Sequence, residues 1–201
     1  MYGLPQSTEI KKQLPKKAIF AKFDLKPSQR ESFDADISRI DVVAVVSPAT
    51  IPAIAKSENI LGIYVLAVQL KRKNYDAKNV ALLSRFIPNK VVFALHFEEQ
   101  VQFAISHTKL ITSDWKSLSP ELSFLTLQGL SLDTVWDNIV ISIGDIQVEQ
   151  GKSVAEQISA DNQRAKILAQ IAVLERKMAI EKQPRRKREY FEQIKKLKSL
   201  I

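Results

Sequence analysis

The residues with chemistry to offer fall in a few short stretches. Arg185-Arg186-Lys187-Arg188 directly follows Pro184, which places four cations in the first turn of an expected helix. There they oppose the partial positive charge of the free N–H groups, at about 0.3–1 kcal/mol each. Helix design alone would not choose that placement. An external anion reverses its sign, because phosphate oxygens can meet both the arginine forks and the N–H groups. With Lys182 before it and Lys195, Lys196 and Lys198 beyond, the segment has the character of a basic prong suited to a phosphate backbone. The alternative is a solvated charged face that keeps the chain dissolved.

A second group is Asp41, near the start of one expected strand, with Gln69-Leu70-Lys71 at the end of the next. Restriction-type nucleases hold a divalent metal with an Asp and a Glu or Gln, and stabilise the attacking water with a Lys two residues further on. One aspartate and a neutral glutamine would bind metal weakly, and any strand leaving a core turns polar at its end. His96 and His107 sit near opposite ends of an expected hairpin and read as surface or half-buried histidines, with no third ligand for a metal. Asp133 and Asp137 lie one helical turn apart beside Trp136, where the first turns of a capped helix favour acids without any catalysis.

Composition removes most other chemistries. The chain has 201 residues and no cysteine, which excludes disulfides, thiol nucleophiles and thiolate zinc sites. Five glycines, with no phosphate-binding loop, serine elbow or HExxH run, leave no ATPase, hydrolase, metalloprotease or dinucleotide-binding signature. No cofactor is expected. No apolar run is long enough to span a membrane, and Pro5 sits where a leader would need an apolar helix, so the expectation is a cytoplasmic protein.

The formal charge of +8 is unevenly distributed. Residues 1–27 carry net +4, residues 28–151 net −3 and residues 152–201 net +7. The positive field therefore belongs to the two ends, which a polyanion should meet first.

The elements that must position these groups follow from period and punctuation. Met1 to Phe23 reads as an extended arm, with Pro15 preceding a short helix, and Ser28 to Ile37 as a short amphipathic helix. Ile40 to Val46 suits a strand buried on both faces, and Ile63 to Lys71 a central strand. Asp76 to Ile87 is helical and closed by Pro88; Val91 to Phe97 and Val101 to Thr108 form a hairpin across Glu98-Glu99-Gln100. Trp115 and Pro120 read as loop, and Leu122 to Leu127 as a last edge strand. Ser131 caps a helix with Leu132, Val135, Trp136, Ile139, Val140 and Ile143 on one face, ended by Gly144.

Beyond Gly151 the period changes. Ile167, Ile171, Leu174 and Met178 recur at alternating spacings of four and three, and after Pro184 the spacing returns in Tyr190, Ile194, Leu197 and Ile201. That is a coiled-coil seam on two helices folded back as a hairpin, serving either as a structural or dimerising device or as a surface for a partner. The chain thus reads as an α/β or α+β sandwich over residues 1–150, followed by a basic antiparallel helical hairpin over 151–201.

Several segments together resemble the bacterial domain-of-unknown-function family numbered four-three-nine-one. They are Leu4-Pro5-Gln6-Ser7-Thr8, Phe86-Ile87-Pro88 ahead of Val91-Val92-Phe93-Ala94-Leu95, Ala104-Ile105-Ser106, Asp114-Trp115, Gln128-Gly129-Leu130-Ser131-Leu132-Asp133 and the basic C-terminal helices. Trp136 departs from the tyrosine expected in relatives. The resemblance implies a bacterial protein encoded beside helicases and DNA methyltransferases of restriction-like or phage-defence loci, and supplies no catalytic residues. The expected role is a non-enzymatic accessory protein. It would touch nucleic acid through Lys182, Arg185, Arg186, Lys187, Arg188, Lys195 and Lys196, and meet a helicase or methyltransferase partner through the seam. A metal-dependent nuclease on Asp41, Gln69 and Lys71 and a purely structural homodimer are the alternatives.

Overall fold

The computed structural model describes residues 1–107, 109–119 and 121–200. Thr108, Pro120 and Ile201, each part of an expectation above, lie outside them. The chain forms two compact units, Met1–Ile146 and Gln147–Ile201.

The first unit is built on a mixed sheet. Its strands are β1 (Glu9–Gln13), β2 (Ile37–Val46), β3 (Ile63–Leu70), β4 (Lys90–Phe97), β5 (Gln100–Ser106) and β6 (Leu110–Thr112), side by side in chain order, with β7 (Lys116–Ser117) also on β5. Only β3 and β4 run parallel; the other pairs are antiparallel. A parallel pair needs a crossover, which α3 (Ala77–Ser84) provides, started by the Asp76 side chain accepting from Lys78 N–H. Antiparallel β4 and β5 need only Glu98 and Glu99 between them, with Glu98 at φ 51°, the left-handed region used by two-residue hairpins.

Strand alternation sends Ile40, Val42, Leu66, Val68, Phe93 and Leu95 to one face. There Ile19 of α1 (Lys16–Phe23), Phe33 of α2 (Pro27–Asp36) and Val80 and Leu83 of α3 complete a core. The other face is covered over β5 and β6 by α4 (Leu132–Gly144). Lys90, which shares the parity of Val92 and Ala94, reaches the ring of Trp136 at 5.4 Å. Tyr2 and Phe124 pack on Phe103, with ring centroids at 5.3 and 4.6 Å.

Asp36 fastens the first core at the junction of α2 and β2. Its carboxylate is fully buried and accepts from Arg72 Nε, Asp76 N–H at 2.8 Å and Asn79 Nδ2 at 2.7 Å, while its carbonyl accepts from Lys71 N–H at 2.7 Å. Burial pushes this carboxyl upward, but the bonds from Asp76, Asn79 and Arg72 outweigh it and hold it below its ordinary value.

Some expectations need correction. Leu122 to Leu127 is not a strand. The N–H groups of Phe124 and Leu125 both go to the Tyr2 carbonyl, and Leu125 is buried as a plug instead of extending the sheet. β2 is not buried on both faces: Val43 and Val45 are only half-buried, Val45 packing at the margin of the first core after the register shift between Val42 and Ala44. β1, β6 and β7 were not expected. They are polar or very short, and β1 carries a bulge between Glu9 and Lys12. Gly144 is the last residue of α4 rather than its stop, and Asp145 takes the left-handed capping position at φ 47°.

The second unit is a helical hairpin of α5 (Val154–Ile180) and α6 (Pro184–Lys198). Ser153 and Glu156 form a reciprocal cap at the start of α5, and Pro184 occupies the first position of α6, where its missing N–H costs nothing. Ile167, Ile171 and Ile194 are buried together, with Leu174, Met178 and Leu197 packed around them.

Candidate functional site

The two candidate sites lie in different units. On the hairpin, Lys182, Arg185, Arg186, Lys187, Arg188, Lys195 and Lys196 are all exposed. Arg185 faces Glu189 at 3.5 Å, an exposed pair of little energetic weight. Lys198 reaches Glu175 at 3.1 Å. The remaining six have no ion-pair partner among the described residues. Lys195, Lys196 and Lys198 stand in the last turn of α6, where the helix dipole welcomes cations. Arg185 to Arg188 stand in its first turns, where the dipole repels them, and no acidic residue lies in that first turn.

The seam residues meet one another. Ile167, Ile171, Leu174 and Met178 of α5 pack with Ile194 and Leu197 of α6, while Tyr190 is half-exposed outside that cluster. The apolar stripe is thus filled from within the hairpin. A groove of about 640 Å³ remains on its flank, bordered by Val173, Leu174, Lys196 and Leu197.

In the first unit, the sheet face that α4 leaves open holds a cleft of about 520 Å³. Register builds it. Gln13 pairs with Asp41 and Asp41 with Ala67, while Arg39 pairs with Gln69 and Gln69 with His96, giving two rows across β1 to β4. Lys11, Gln13, Arg39, Asp41, Val43, Ala67, Gln69 and His96 line it. Asp41 and Gln69 therefore share a site. Lys71 does not border it, because β3 ends at Leu70 and the next N–H turns to the Asp36 carbonyl.

Asp41 is engaged by Arg39 through two bonds of 2.6 and 2.9 Å. This fork occupies both carboxylate oxygens and holds the Arg39 guanidinium more firmly protonated than usual. His96 is buried rather than half-exposed, with Nε2 at 2.5 Å from the Tyr2 hydroxyl. Burial lowers the affinity of its imidazole for a proton and raises the Tyr2 phenol well above its ordinary pKa, so the pair is neutral at neutral pH. Tyr2, Lys11, Arg39 and His96 were not expected here. Strand alternation could have put Arg39 beside Asp41, but only the register reveals His96, and nothing in the sequence signals Tyr2.

His107 is exposed beyond β5 and takes no part. Asp133 accepts from Ser57 Oγ at 2.9 Å. Burial, then the neighbouring Asp133, raise the Asp137 carboxyl against the pull of Lys90. Among the described residues no group of three His, Cys, Asp or Glu is placed to hold a metal ion, and no helix is long and apolar enough to cross a membrane.

A family model described as Domain of unknown function (DUF4391) matches residues 2–201. No curated protein and no solved structure matches the chain.

Proposed function

The chain belongs to the DUF4391 family, and from that premise we propose that it is a non-enzymatic accessory protein of a DNA-processing system, gripping nucleic acid through its C-terminal hairpin. One observation supports this above the rest: Arg186, Lys187 and Arg188 are exposed, without ion-pair partners among the described residues, in the turns of α6 where the helix itself repels them. A phosphodiester backbone supplies the missing counter-charge, and each phosphate neutralised releases a counterion. Because the seam is filled internally, a helicase- or methyltransferase-like partner would meet the hairpin flank around Val173 and Leu197.

The test is binding of labelled DNA across a salt series. Reversing Arg185 and Arg186 to Glu together should weaken binding at least about tenfold at low salt and flatten the log–log salt slope by about two. An unchanged affinity removes the hairpin from the reading.

A second reading, a metal-dependent nuclease, is favoured by Asp41 and Gln69 sharing the body cleft. It requires Arg39 to release Asp41 to a metal. Magnesium-dependent plasmid nicking that disappears in Asp41→Ala and Gln69→Ala would establish it; no nicking by the wild-type protein would end it.

A further inference from the structure

Of nine Phe, four Tyr and two Trp, Phe191 is the one exposed aromatic side chain, at 54%. It lies in the middle of α6, one helical turn from Lys187 and Arg188 on one side and Lys195 on the other. Packing does not account for it, because Phe191 lies outside the apolar cluster that joins α5 to α6. Its ring also makes no aromatic pair and carries no cation over its face among the described residues. The body treats its rings differently. Lys22 sits 4.9 Å over Phe86, Lys116 4.7 Å over Phe124 and Lys73 5.2 Å over Trp115. On α6 the ring and the three cations around it, Lys187, Arg188 and Lys195, have no such partner among the described residues.

We infer that the hairpin takes a single strand, with Phe191 as a stacking platform for an unpaired base. The inference rests on the hairpin reading and names its substrate class. A duplex buries its base faces in its own stack and offers a basic helix only phosphates and groove edges, so an exposed phenyl group gains nothing from it. A single strand presents both phosphates and free base faces. Proteins that hold one combine a cationic track with aromatic rings. From Arg185 to Lys195 the ridge runs about 15 Å at the helical rise per residue, room for a few nucleotides. The stacking requirement is shared by single-stranded DNA and RNA.

The experiment titrates the full-length chain into fluorescein-labelled oligothymidylate, oligouridylate and a mixed-sequence duplex, with vesicles of phosphatidylserine and phosphatidylcholine as a further arm. Phe191→Ala should weaken binding of at least one single strand by about five- to a hundredfold and leave duplex binding within about twofold. Phe191→Trp should keep the affinity, and its added emission should fall as the strand is titrated in. Unchanged single-strand binding in Phe191→Ala overturns the stacking role while leaving the hairpin's phosphate contacts standing. So does an equal loss on strand and duplex. No binding of any nucleic acid by the wild-type chain, with or without vesicle binding that depends on Phe191, overturns both the inference and the hairpin reading.

Discussion

In the body, charge and aromatic surface are largely consumed by the fold. Asp36 is surrounded by Arg72, Asn79 and a backbone N–H; Arg39 grips Asp41; Lys22, Lys73, Lys90 and Lys116 lie over rings. In the hairpin only a handful of apolar side chains are sequestered along the seam, while most of its cations and its Phe191 ring find no partner among the described residues. The contrast separates two demands on a sequence. One unit satisfies its own groups and gains rigidity. The other leaves groups unsatisfied, which is how a surface remains available to something else.

The largest test of this contrast is Phe93→Ala in the body. Phe93 is fully buried between β4 and the helix layer, and its loss should cost about 3–5 kcal/mol, read from the urea midpoint by the emission of Trp115 and Trp136. A small loss would mean that the body is not the tightly packed unit described. Next comes Ile194→Ala, which opens the seam against Ile167 and Ile171 and should cost about 2–4 kcal/mol. Far-UV helix signal should melt early while near-UV tryptophan signal from the body persists; simultaneous loss of both would merge what is contrasted here.

The smallest expected effect is pH-dependent. Because the folded Asp36 carboxyl lies below its ordinary value, the stability it contributes is fully present above about pH 4, the unfolded value, and is lost as pH falls through the lower folded one. Asp36→Asn should cost about 2 kcal/mol at pH 7 and show a shallower decline between pH 4 and pH 2 than wild type. Parallel declines would take Asp36 out of the account of acid sensitivity.

Periodicity revealed the parts of this fold whose apolar residues repeat. β3, α4 and the two hairpin helices were predictable because Ile63 to Leu70, Leu132 to Ile143 and the Ile167 and Ile194 stripes each bury a regular set of side chains. β1 was not predictable. Glu9-Ile10-Lys11-Lys12-Gln13 has one apolar residue in five, and only backbone pairing with β2 and the packing of Ile10 on the core make it a strand. Leu122 to Leu127 misled for the opposite reason: four of its six residues are apolar, yet Phe124 and Leu125 pack onto a sheet face instead of joining its edge. The cleft was visible only in part. Asp41 and Gln69 stood out as polar groups on apolar strands, and alternation alone sets Arg39 beside Asp41, but their meeting with Lys11 and His96 depends on register across four strands, and register is a long-range property. The hairpin cations needed no such information, since neighbours in sequence are neighbours on a helix.

The rims of the sheet carry one more consequence. At one rim stands β1, five residues long, kinked by its bulge and bearing Lys11 and Lys12; at the other, β5 is shared by three-residue β6 and two-residue β7. Neither border is long or flat enough to template the backbone of another molecule, and lysine repels a copy of itself. Lateral recruitment of a further strand is thereby disfavoured at both ends.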